Sequence, residues 1–99
     1  MKFYIITKGK TIHEVEGKEF KEDSRLFVYK NEFGRYCLTD KATGMFLKCT
    51  NKLKEIPEAY KMVLKAYENI ILGETYRRLC IFFNKALKEF KNDNNSKWN

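Results

Sequence analysis

A break in helical phase at Gly73 constrains this chain more than any other feature of its sequence. At about 100° per residue, Ala59, Tyr60, Val63, Ala66, Tyr67, Ile70 and Ile71 share one arc of a helix, and Tyr76, Leu79, Cys80, Phe83, Ala86, Leu87 and Phe90 share a second. A continuous helix would set those arcs roughly 180° apart and leave one of them in water. The chain must therefore bend near Gly73, which predicts a two-helix hairpin over residues 57–72 and 75–91. Pro57 suits the first helical turn, where its missing N–H is not needed, and Glu58 suits the positive end of the helix dipole. Gly73 is expected to end the first helix in the left-handed conformation.

Residues 3–50 read differently. Short β-branched and aromatic runs at 3–7, 11–16, 25–29, 35–39 and 45–50 are separated by turn residues, Lys8-Gly9-Lys10 and Asp40-Lys41-Ala42-Thr43-Gly44 among them. Gly17 to Ser24 is charged and is expected to be the longest loop. In the last run Met45, Leu47 and Cys49 alternate with Phe46 and Lys48, so the first three are expected to face the core and Phe46 the wetter side. The predicted fold is α+β: an antiparallel sheet of about five strands followed by the helix pair, one domain over 1–91 with a flexible polar tail at 92–99. Only Trp98 would dock that tail.

Charge narrows the range of partners. Twenty Lys and Arg against 13 Asp and Glu give +7, spread over both halves, which favours acidic proteins or phosphates. Cys37, Cys49 and Cys80 lack paired spacing, and Met1 to Thr7 lacks the apolar core of a signal peptide, so the expected location is a reducing cytoplasm. Without an apolar run near 18 residues, no membrane partner is expected.

Candidate chemistry is sparse. Gly9-Lys10-Thr11 resembles the end of a phosphate-binding loop, but the earlier Gly of that motif falls on Tyr4 and a strand follows, so nucleotide hydrolysis is not expected. His13 and the three cysteines show none of the close ligand pairs of a zinc site; metal and cofactor are both expected to be absent. Glu14, Glu16, Asp23 and Asp40 have no recognisable catalytic partner in sequence, so no enzyme activity is expected. Tyr4, Phe27, Tyr29, Tyr36 and Phe46 could stack on bases, but the ribonucleoprotein signature is missing and core packing accounts for most of them.

The helices differ on their outer faces. The first carries Glu58, Lys61, Lys65 and Glu68, which neutralise one another. The second carries Arg77, Arg78, Lys85 and Lys88 around Ile81, with Phe82 also outside the apolar arc. Arg77, Arg78, Ile81, Lys85 and Lys88 are therefore the expected partner-binding face, suited to an acidic protein surface or a nucleoprotein. Alternatively Ile81 and Phe82 are covered by the first strand, by the tail, or by a second copy of the chain in a homodimer.

The order of pieces in Tyr36-Cys37-Leu38-Thr39-Asp40-Lys41-Ala42-Thr43-Gly44-Met45-Phe46, followed by Thr50 to Glu55 and a helix, resembles small phage or mobile-element accessory proteins, anti-CRISPR proteins among them. The resemblance implies stoichiometric inhibition of a host protein or nucleoprotein rather than catalysis. Anti-CRISPR proteins that mimic DNA tend to be acidic, whereas this chain is basic, so an acidic surface or guide RNA fits better than DNA mimicry. Direct DNA or RNA binding is the alternative.

Overall fold

Antiparallel pairing runs in sequence order through five strands: β1 (Lys2–Ile6), β2 (Ile12–Glu19), β3 (Leu26–Lys30), β4 (Tyr36–Asp40) and β5 (Phe46–Thr50). The computed structural model describes residues 1–96. After a 3₁₀ turn at Leu53–Glu55 come α1 (Ile56–Ile70) and α2 (Glu74–Ser96), completing the expected α+β arrangement. Pro57 lies in the first turn of α1, as expected. No helix among the described residues is long and apolar enough to cross a membrane.

β2 is longer than its sequence pattern implies, because residues 17–19, expected in a loop, continue it. Its first half pairs with β1, Ile6 opposite Ile12, and its second half with β3, Gly17 opposite Tyr29. The strand turns a corner at Gly17, where an added Cβ would lie 2.6 Å from the Val28 carbonyl oxygen. The corner curls the sheet, and the Ile6 N–H of β1 reaches round to the Gly44 carbonyl in the β4–β5 turn at 3.1 Å.

Curling buries both faces of the central strands. Leu26, Val28 and Leu38 join Phe20, Ile56 and Tyr67 in the core under α1. Phe27, Cys37 and Thr39 alternate with them and so face the other way, yet they are only 1, 2 and 0% exposed. The Phe3 ring stacks on Phe27 at 4.2 Å and covers that second face. Burying these side chains on both faces supplies the main apolar stabilisation, about 25 cal/mol per Å² removed from water.

The bend at residue 73 is present, but its chemistry differs from expectation. Gly73 does not have positive φ; α1 tightens instead through Leu72 N–H to Asn69 and Gly73 N–H to Ile70, and the Gly73 carbonyl accepts the first bond of α2 from Arg77. Gly73 thus acts as an N-cap of α2, a role glycine fills well. From the bend α1 lies along β4 and β5, and α2 along β2. The inner arc of α2 matches the sequence pattern, with Phe83 buried and Tyr76, Leu79, Cys80, Ala86, Leu87 and Phe90 half-buried. On α1 the arc is narrower: Ala66 and Ile70 lie at its exposed edge, while Tyr67 and Ile71 beside them pack toward the core and Ile56 is buried. Residues 92–96, expected in the flexible tail, continue α2, since each residue added to an existing helix gains a hydrogen bond without a new nucleation cost. Trp98 lies outside the described residues.

Candidate functional site

Two β-turns and the first half of α2 enclose an apolar groove of about 570 Å³. Ile6, Met45, Leu79, Phe82 and Phe83 supply its apolar surface. Lys8, Lys10 and Arg78 are its charged residues, and no Asp or Glu lines it. Each element arrives for a local reason. The β1–β2 turn closes by Lys10 N–H to the Thr7 carbonyl, and Lys10, not Gly9, takes positive φ, at 60°. The β4–β5 turn takes positive φ at Gly44, where an added Cβ would meet the Phe83 ring at 2.6 Å. That close approach seats α2 against the turn and sets one wall of the groove.

Met45 is the clearest correction to the sequence reading. Expected in the core, it is 44% exposed and lines the groove, because a register shift between Leu38 and Thr39 disturbs the alternation of β5. Phe46, expected on the wetter side, is 64% exposed.

The expected binding face of α2 is present, but it divides. Arg77, Arg78, Ile81, Lys85 and Lys88 are all exposed. Arg78 turns toward the groove and forms only a solvated ion pair with Glu74, at 3.6 Å. Phe82, one turn on, stands beneath Lys10, whose ammonium lies 5.7 Å from its ring centroid. Arg77 opens instead on a separate cleft with Leu72 and Cys80. Arg77, Lys85 and Lys88 form no ion pair with a described residue. Lys8, Lys10, Ile6 and Met45 escaped the sequence reading, since only chain folding brings two distant turns to one helix.

Asp40 and Asp23 are engaged within the fold. Asp40, 2% exposed, accepts hydrogen bonds from Tyr67 at 2.6 Å, Tyr76 at 2.9 Å and Thr43 at 2.8 Å, so both carboxylate oxygens are occupied by this chain's own hydroxyls. Burial, reinforced by the Asp40 carboxylate, pushes the titration of both tyrosines upward. Asp23 accepts from Arg25 Nε at 2.8 Å and from the Tyr60 hydroxyl at 3.0 Å, and the guanidinium holds its carboxyl down to about 2. Glu14 and Glu16 stay exposed, Glu16 paired with the N-terminal amine at 2.7 Å. His13 is exposed on β2, and the described residues contain no group of three or more His, Cys, Asp or Glu placed to hold a metal. Among the sheet aromatics, Phe27 is covered by Phe3 and Tyr4 meets Phe90 edge-on, whereas Phe46 is exposed.

No family model, curated protein or solved structure matches this chain.

Proposed function

We propose that this protein is a non-catalytic docking protein that grips an acidic protein partner through the groove and the adjoining face of α2. One observation carries the reading: an apolar groove whose charged lining is wholly cationic. An apolar side chain of the partner enters between Phe82 and Met45, and carboxylates beside it meet Lys8, Lys10, Arg78 and Lys85. Desolvated apolar contact supplies affinity, and the cations supply orientation and encounter rate. The groove contains neither His nor carboxylate, so proton transfer has no obvious agent there. We extend the reading to a phage or mobile-element accessory inhibitor of a host protein or nucleoprotein, anti-CRISPR-like in mode. Its support is that the hairpin carrying that resemblance also forms the groove wall through Thr43 and Met45.

The test is fluorescence anisotropy against an array of peptides in which apolar residues are placed between Asp or Glu, with a labelled DNA duplex alongside. Saturable peptide binding is expected, weakened ~10-fold by Phe82→Ala and by Arg78→Glu with Lys85→Glu. Equal binding by all three proteins, or no saturable peptide binding, overturns the reading. Tighter binding to the duplex, falling steeply with salt, replaces it with direct nucleic-acid binding.

A further inference from the structure

Cys37 and Cys49 face one another across β4 and β5. Facing residues of an antiparallel pair project to the same side of the sheet, with Cα atoms about 4.5–5.5 Å apart, which falls within the span a disulfide bridges. Their sulfurs already lie 2.8 Å apart. A disulfide bond is about 2.05 Å long, so closing it asks less than about 1 Å of sulfur movement and no change of register. Asn31 Nδ2 lies 3.6 Å from the Cys37 sulfur and helps fix its rotamer. Cys80, on α2, has no facing thiol.

We propose that Cys37 and Cys49 form a reversible modification site that closes to a disulfide when the protein meets a small-molecule disulfide oxidant. The two sulfurs have different roles. Cys37 is buried, whereas Cys49 is half-buried and within reach of solvent. Burial also pushes the Cys37 thiol up to about 12, so the first attack belongs to Cys49. The Cys49 thiolate attacks one sulfur of the oxidant, the oxidant's S–S bond breaks, and one thiolate leaves and takes up a proton. Cys37 then attacks the Cys49 sulfur of the mixed disulfide, giving its own proton to the second departing thiolate. The protein loses two protons and two electrons, and the oxidant gains both as two thiols. The new bond ties the edge strand β5, which carries α1, to the buried strand β4.

The experiment equilibrates the full reduced chain with glutathione disulfide, blocks the remaining thiols with N-ethylmaleimide, and reads the intact mass and a tryptic map. Cleavage after Arg35, Lys41, Lys48 and Lys52 leaves Cys37 and Cys49 on separate peptides, so a bond between them is seen directly. The expected product has lost two hydrogens, carries one maleimide on Cys80, and yields peptide 36–41 linked to peptide 49–52. Linkage should be at least ~10-fold more complete than glutathione addition at Cys80, and should fall when the same reaction is run in denaturant. The oxidised protein should unfold at least ~5 °C higher than the reduced one. Three maleimides per chain, a lasting glutathione adduct on Cys49, or a bond involving Cys80 overturns the proposal.

Discussion

Both oxygens of Asp40 accept hydrogen bonds from hydroxyls, those of Tyr67 on α1, Tyr76 on α2 and Thr43 in the adjoining turn. One buried side chain thereby fixes both helices to the end of β4. A hydrogen bond to a charged group contributes about 1.5–3 kcal/mol, so Tyr67→Phe should cost about 2 kcal/mol in urea unfolding and Tyr76→Phe somewhat less, since Tyr76 is only half-buried. Asp23 gives a prediction in pH. Its carboxyl titrates near 2 when folded, against about 3.9 in an unfolded chain. The stabilisation it brings is therefore full above about pH 4 and lost as pH falls toward 2. Asp23→Asn should be less stable at neutral pH, and its stability should change less over that interval, as thermal melts at several pH values would record.

Three glycines separate the demands of the elements. Gly17 turns the corner of β2 against a carbonyl that cannot move aside, and Gly44 combines a φ of 69° with contact to Phe83. Alanine at either position should destabilise by about 2 kcal/mol or more, from overpacking and, at Gly44, from backbone strain as well. Gly73 sits at ordinary φ, and its added Cβ would meet only the Ile70 carbonyl oxygen at 3.4 Å. In Gly73→Ala two effects of about 1 kcal/mol oppose each other, a narrower unfolded ensemble that stabilises and the poorer N-cap that alanine makes, so the net change should be much smaller than at Gly17 or Gly44. Chemical denaturation of the three variants checks the order, and a Gly73→Ala cost as large as that at Gly17 or Gly44 would contradict it.

The molecule measures 46 × 32 × 23 Å, with a radius of gyration of 14.1 Å against the ~13 Å usual for this length. α2 alone, at 23 residues, spans about 35 Å. The cations of α2 stand on its exposed side, within a molecule of charge +7. Long-range attraction of that kind acts on approach more than on the docked state. Association with an acidic peptide that fills the groove should slow by about tenfold between low and near-physiological salt while its dissociation rate changes little, measurable by stopped flow.

Much of the scaffold was legible because its causes are local. Apolar spacing identified both helices and the inner arc of α2 down to Phe90, and turn residues separated five strands. Alternation failed at Met45 and in β2 beyond Glu16, where a register shift and a sheet corner depend on which strand lies alongside. The five α2 residues chosen for binding are exposed, as helical phase requires, since phase is a property of the sequence itself. Only Arg78 of the five lines the groove, and the residues it shares the groove with, Lys8, Lys10 and Met45, come from turns more than 30 residues away in the chain, with no periodicity to relate them. The sequence by itself determined the elements, the outward face of α2 and the placing of Cys37 and Cys49 on successive strands; tertiary folding decided the groove, the shared Asp40 anchor and the register that sets those two thiols opposite each other. Secondary structure follows from interactions within a few residues, whereas concavity and facing thiols arise only when distant segments are brought together.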